Sequence, residues 1–132
     1  MSTQALPAEA APSITETRLA STLKAISNPV RLGMLRWLAT HPWCITGQVV
    51  EASGLAQSTV SRHLTVLRQN GLLCCEPSGT ATCCCVDAAA LAALAEDLEG
   101  YAASLRAAAD ACCGETPARV AIDLHVDSKP KT

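Results

Sequence analysis

The sequence predicts a mainly α-helical fold with one small β-hairpin, a winged helix-turn-helix, on three observations. A short helix capped at Thr46 ends at Gly54, and a tight turn, "GLAQ", leads into a second helix from about Gln57 to Asn70. Two short helices joined by a glycine-containing turn form the helix-turn-helix pattern. After Gly71 the periodicity changes, with "LLCCEP" and "TATCCCV" reading as strands and "PSGT" as the turn between them, so a hairpin follows the second helix as a wing does. Third, the last long helical segment carries an apolar stripe at heptad spacing.

Each element has a local cause. Leu19, Leu23 and Ile26 share one face of a first helix from about Thr15 to Ser27, by the i, i+4, i+7 rule. In "SNPVRL", Asn28 is placed as an N-cap and Pro29 as the first helical residue. A cap side chain satisfies free amides there, and proline has no amide to leave unpaired. This helix runs to about Thr40 and stops before Pro42, since a residue preceding proline disfavours helix. Val30, Leu32, Met34, Leu35, Trp37 and Leu38 nearly encircle it, so it is expected to be central and buried. The final helix, "DAAALAALAEDLEGYAASLRAAADACC", is rich in alanine, the strongest helix former. Leu91, Leu94, Leu98, Tyr101, Leu105, Ala108 and Cys112 make its 3-4 stripe. Such a seam wants another helix. The expected occupant is a second copy, giving a homodimer through terminal helices; packing on its own domain is the alternative.

Length and composition bound the rest. The 132 residues suffice for one compact domain with a modest core. Residues 1–14 read as a loose lead, 15–113 as the folded domain and 114–132 as a mostly flexible tail, in which "RVAIDLHV" alternates like a strand. Phenylalanine is absent and aromatics make up 2%, so the core is expected to be aliphatic and to gain stability from a partner subunit. No apolar run approaches the length of a membrane span, and the N-terminus lacks the charged and apolar regions of a signal peptide. A cytoplasmic location without membrane contact is therefore expected. The eight cysteines then belong to a reducing compartment, which favours metal binding or redox chemistry over structural disulfides.

Charge is unevenly spread. Residues 1–73 hold six Lys/Arg against three acids, and residues 74–132 hold four against nine. A basic front half suits a domain with one nucleic-acid face. On the second helix of the helix-turn-helix, Val60, Leu64 and Leu67 point to one side and Ser58, Arg62, Thr65 and Gln69 to the other, with Thr59 and Ser61 flanking, given about 100° per residue. That outer face is polar, contains an arginine and has no acid to repel phosphates.

"LKAISNPVRLGMLRWLA" followed by "ASGLAQSTVSRHLTVLRQNGLL" closely resembles the arsenic-repressor (ArsR/SmtB) family of bacterial winged-helix regulators, over roughly residues 18 to 112. The resemblance implies a non-enzymatic repressor that binds double-stranded operator DNA as a homodimer without ligand and lets go when a metal or metalloid binds. By the same resemblance, Gln57, Ser58, Thr59, Ser61, Arg62 and His63 fall where the family reads the major groove and contacts phosphates. Two departures stand out. The family's Cys-x-Cys positions fall on Ile45 and Gly47, with Cys44 one residue early, and its zinc-ligand positions on the last helix fall on Ala88, Ala90, Tyr101 and Ser104. The wing also lacks the usual Arg/Lys and has cysteines instead.

With His41, His63 and His125 scattered, a soft-ion site has to be built mainly from sulfur. Such sites suit As(III) and Sb(III), which take three sulfurs in a pyramid, or zinc and other thiophilic metals. "DACCGE" resembles the vicinal cysteine pair with which some family members sense arsenic near the end of the last helix. Adjacent helical side chains diverge by about 100°, so Cys112 and Cys113 chelate one ion comfortably only if the helix end loosens. Gly114 and Pro117 follow it. The last helix is about 36 Å long, so the third thiol is expected from the other subunit's wing if the long helices pair antiparallel, as the family implies: Cys85 first, Cys83 next. Cys84 and Val86 are expected to face inward, with Cys83 and Cys85 on the other face and Cys74 and Cys75 opposite across the hairpin. The rival expectation is a thiol-redox-responsive repressor, because clustered cysteines oxidise to disulfides. A thiol enzyme is not favoured: no Cys-x-x-Cys motif opens a helix.

Overall fold

The computed structural model describes residues 8–113. A 3₁₀ turn at Ala8–Ala10 precedes α1 (Ile14–Ile26), α2 (Pro29–Ala39), β1 (Cys44–Ile45), α3 (Thr46–Ser53), α4 (Gln57–Gln69), β2 (Leu73–Ser78), β3 (Ala81–Val86) and α5 (Ala88–Cys113). The chain divides into two compact units, residues 1–97 and 98–132. The first holds the helix-turn-helix and the sheet. The described part of the second is the remainder of α5. The possible strand "RVAIDLHV" lies outside the described residues.

Caps fix the helix starts. Ser13 accepts a hydrogen bond from the Glu16 amide, and the Glu16 carboxylate accepts one from the Ser13 amide, a reciprocal box at the head of α1. Asn28 Oδ1 accepts from the Val30 and Arg31 amides, with Pro29 at the first helical position as expected. At α3 the cap falls one residue earlier than expected: Ile45 is the N-cap and Thr46 the first helical residue. The Gln48 side chain accepts from the Ile45 amide, and no side chain accepts from the first-turn amides, the part expected of the Thr46 hydroxyl. Gly54 closes α3 at φ 73°, a left-handed conformation that glycine adopts without steric cost.

The sheet has three strands in the order β1-β3-β2, all antiparallel. The sequence shows the hairpin but not β1. The pairing of Cys44 with Cys84 and Ile45 with Cys83 is too short to leave an alternating pattern, and Trp43, at φ 59°, turns the chain into it. The turn is also tighter than "PSGT": Pro77 and Ser78 belong to β2 and pair with Thr82 and Ala81, leaving Gly79 and Thr80 at the tip. A β2 at the edge of the sheet tolerates Pro77, which has no amide to give.

The core joins Met34, Leu35 and Leu38 of α2, Val49 of α3, Val60, Leu64 and Leu67 of α4, and Leu72, Leu73, Cys44 and Cys84 around the sheet. Side chains of α2 are not buried all round: Val30 and Leu32 are exposed, Leu32 by 50%. A short helix under one small sheet buries one face only, that of Met34, Leu35 and Leu38, and these two residues, about 200° apart, flank it on opposite sides. On α1, Leu19 and Ala25 are buried and Leu23 and Ile26 half-buried. Arg18 of α1 holds Asp97 through two guanidinium nitrogens, the shortest contact being 2.8 Å. Asp87 heads α5, its carboxylate accepting from the Ala90 amide.

Leu67 is wholly buried, so Leu67→Ala removes a side chain from a close-packed centre and leaves a cavity. It is expected to cost about 2–5 kcal/mol, read as a drop in the urea midpoint. Asn28→Ala, which strands two amides at the head of α2, is expected to cost about 1 kcal/mol.

Candidate nucleic-acid interface and thiol cluster

The rotation of α4 about its axis is set from inside. Val60, Leu64 and Leu67, spaced by four and three residues, are all buried. The opposite face therefore points out. Gln57, Ser58, Ser61 and Arg62 are exposed and Thr59 is half-buried, so these sequence-predicted residues form one band along the first half of the helix. Neither α4 nor its first turn contains an acid. The N-cap residue, Ala56, makes no side-chain cap bond, which leaves the first amides of α4 available to an anion.

His63 differs from the rest of the expected set. It is half-buried, and its Nδ1 lies 3.2 Å from Nη1 of Arg31 in α2. A guanidinium only donates, so Nδ1 accepts and the ring is neutral with its proton on Nε2. Burial, then the charges of Arg31 and Arg62, hold its pKa below the ordinary 6.5. Arg31 also donates from Nε to the Ala25 carbonyl, tying α4 to α2 and to the end of α1. Sequence reasoning missed this brace because only three-dimensional packing brings residue 31 to residue 63.

The wing cysteines sort by strand alternation. Leu73 pairs with Val86, Cys74 with Cys85, Cys75 with Cys84 and Glu76 with Cys83. Cys84 is buried and Val86 packs on the core, as expected. The pairing across the hairpin places Cys75 on the inner face with Cys84, and a disulfide joins these two, Cα to Cα 4.1 Å. The expectation that thiol chemistry outweighs disulfides thus meets a closed pair, because directly opposed residues of adjacent strands stand at bridging distance. Cys44 and Cys74, Cys83, Cys85 and Cys112 are free. Burial, and secondly Cys83, push the Cys44 thiol up from its usual pKa. Cys74 is exposed and donates to Asp87 Oδ2 at 3.4 Å, which raises its pKa.

The expected ion ligands are placed as follows. Cys85 is half-buried in β3, opposite Cys74. Cys112 is exposed near the end of α5, and Cys113 is the last residue of that helix; its side chain lies outside what is described. Among the described residues no group of three His, Cys, Asp or Glu could hold a metal ion. The donor chemistry of these thiols fits a soft ion, but one chain's described residues do not assemble the site.

A polar cavity of about 180 Å³ lies between α4 and the sheet, lined by Thr46, Ser61, Thr65, Arg68, Thr82 and the Cys75–Cys84 pair. The disulfide and the back of the α4 band thus share one small space. Along α5 most of the expected seam is exposed, at Leu91, Leu98, Tyr101 and Leu105, while Leu94 is half-buried beside Leu19 and Thr22 of α1. No helix among the described residues is long and apolar enough to cross a membrane.

A three-stranded wing packed behind a helix-turn-helix with a polar, acid-free outer band defines a winged-helix module. Residues 28–73, from the cap of α2 to the start of β2, match the family model described as "Bacterial regulatory protein, arsR family". The match takes in the helix-turn-helix and ends at the start of β2. The chain is 42% identical over 62 residues to "HTH-type transcriptional regulator NmtR" of Mycobacterium tuberculosis (strain ATCC 25618 / H37Rv), covering 47% of this chain and 51% of that one. It is 39% identical over 54 residues to "HTH-type transcriptional regulator YgaV" of Escherichia coli (strain K12), covering 41% and 54%. The chain thus spans about half the length of the curated relatives it matches. Both relatives are named as transcriptional regulators. Among solved structures, an "ArsR-like Transcriptional Regulator from Rhodococcus sp. RHA1" shares the fold with a TM-score of 0.63 at 22% identity, over 74% of this chain and 95% of that one. A "predicted DNA-binding transcriptional regulator from E. coli" superposes with a TM-score of 0.52 at 29% identity, over 64% and 90%.

Because the native state holds His63 neutral, it binds fewer protons than the unfolded chain just below pH 6.5. The contribution is fully present above 6.5 and is lost as pH falls through the depressed native value. By ¹H–¹³C NMR, the His63 ring is expected to titrate below 6.5, and Arg31→Gln to raise that midpoint. An unchanged midpoint in Arg31→Gln contradicts the brace.

Proposed function

We propose that the protein is a transcriptional repressor that grips duplex operator DNA as a homodimer, from the cytoplasm, and releases it when a soft effector takes up its thiolates. Residues 15–113 act as the DNA-binding and dimerisation domain. The observation that carries the DNA part is the outward band of α4, fixed from inside by Val60, Leu64 and Leu67. Gln57, Ser58, Thr59, Ser61 and Arg62 then meet base edges and phosphates in the major groove, and His63 serves as the brace behind them. The uncapped start of α4 adds amides for a phosphate. The names of the similar proteins, transcriptional regulators, support the same role.

The exposed Leu91, Leu98, Tyr101 and Leu105 of the α5 stripe support a second copy as partner. A two-fold dimer carries two α4 bands to successive major grooves, about 34 Å apart. As(III) or Sb(III) is the proposed effector, with Cys112 and Cys113 as first ligands and Cys85 of the partner subunit as the third; zinc is the lesser fit, since it favours four ligands. An effector that binds the DNA-free arrangement about 100-fold better shifts the balance by roughly 2.7 kcal/mol. A second reading, thiol-redox control of the same dimer, is favoured by the Cys75–Cys84 pair in the wing.

Fluorescence anisotropy with promoter DNA tests both layers. Arg62→Ala is expected to weaken binding by about tenfold or more, with the fold intact by circular dichroism; unchanged affinity contradicts the assignment of α4. Cys112→Ser and Cys113→Ser are expected to bind DNA normally and to stay bound with arsenite. If both release the operator as the parent chain does, the effector site lies elsewhere.

A further inference from the structure

Cys44, Cys84 and Cys75 form a row across the sheet, because β1 pairs Cys44 with Cys84 and β2 pairs Cys75 with the same Cys84. Directly opposed residues on adjacent antiparallel strands project from the same face, with Cβ atoms about 4.5–5.5 Å apart. The middle sulfur therefore has a cysteine neighbour on each side. It has valence for one bond only. In the structure that bond is to Cys75, and Cys44 is free and buried.

We propose that the wing disulfide has two positions, Cys75–Cys84 and Cys44–Cys84, which interconvert by internal thiol–disulfide exchange. The Cys44 thiolate attacks Cys84 Sγ. The Cys44–Cys84 bond forms, the Cys75–Cys84 bond breaks, and the electron pair leaves on Cys75 Sγ. The proton lost by Cys44 is regained at Cys75, so nothing is oxidised or reduced overall and no outside reagent enters. Displacement at a disulfide sulfur needs the attacking, central and leaving sulfurs near one line, and the row across the strands supplies that direction. Cys75 leaves toward the polar cavity shared with Thr46, Ser61, Thr65 and Arg68, where a cationic neighbour favours a departing thiolate. The attacking side is buried, so exchange is slow until Cys44 ionises.

The two positions differ in what they tie together. Cys75–Cys84 closes the hairpin on itself. Cys44–Cys84 instead ties β3 to β1, whose second residue, Ile45, is the N-cap of α3. The crosslink then runs from the wing to the helix-turn-helix, and Cys75 is left as a half-buried thiol beside the cavity. Cys74 and Cys85 lie on the opposite face of the sheet and are not in the row. The exchange does not depend on DNA binding or on an arsenic site.

Peptide mapping of the full chain separates the two forms. Trypsin cleavage after Arg36, Arg62, Arg68 and Arg106 puts Cys44 on peptide 37–62, and puts Cys75 and Cys84 together on peptide 69–106. The resting bond is thus a loop within one peptide, and the exchanged bond links two. Oxidised protein is held anaerobically at about pH 8.5 without added oxidant, trapped with N-ethylmaleimide and digested without reduction. A linked 37–62/69–106 species is expected to grow with time, fragmenting to Cys44–Cys84, at constant total disulfide. It is expected to be missing from Cys84→Ala. In Cys75→Ser treated with glutathione disulfide, Cys44–Cys84 is expected to be the main bond. Full maleimide labelling of Cys44 at all times in the parent chain overturns the proposal. So does a linked species that fragments to Cys44–Cys83. The parent time course decides even if a variant fails to fold.

Discussion

Val60, Leu64 and Leu67 are the hinge of the whole account, because their burial against α2, α3 and the start of β2 leaves α4 only one rotation about its axis. A helix of thirteen residues with three apolar anchors on one side cannot turn without exposing them, at roughly 1.5–3 kcal/mol for each large side chain. That cost keeps the polar band outward with no ligand present. The Arg31–His63 contact adds a directional restraint from α2. It is a hydrogen bond to a neutral ring, so it weakens as that ring takes up a proton.

The sheet behind α4 is held by a second constraint, the two-residue period of a strand. That period decides which sulfurs meet. Five wing cysteines fall in two short strands, and alternation splits them into an inner set, Cys75 and Cys84, and an outer set, Cys74, Cys83 and Cys85. Cys44 joins the inner set from β1. Cys75 and Cys84 lie behind the α4 band and share a cavity with Ser61 and Thr65. The outer set consists of free thiols, Cys74 exposed and Cys83 and Cys85 half-buried. One hairpin thus carries two different sulfur environments, an inner pair joined by a bond and an outer set of free thiols.

Much of the fold was legible because helices announce themselves locally. Asn28–Pro29, Gly54 and the spacing of Val60, Leu64 and Leu67 are signals a few residues long, and each marks its feature within a residue or so. The inward turn of Cys84 and Val86 also followed from alternation. Long-range features were less visible. Strand β1 spans two residues and exists only because β3 is there to receive it. The partnership of Cys75 with Cys84 depends on a turn of Gly79 and Thr80, tighter than "PSGT". Val30 and Leu32 read as core because composition records hydrophobicity but not which side of a helix has a neighbour. The outward band of α4 was readable; the withdrawal of His63 behind it was not, since Arg31 arrives from a distant point in the sequence. The arsR-family match stops at residue 73, just before the first wing cysteine, and of the cysteines it includes Cys44.

Backbone hydrogen–deuterium exchange, with and without a duplex from the protein's own promoter, tests the central claim most directly. If α4 presents its outer band to the groove, added protection falls on amides of residues 57–62, with the buried-face positions 64 and 67 already slow in the free protein. Protection confined to α5 or to the wing, with residues 57–62 exchanging as fast as before, contradicts it.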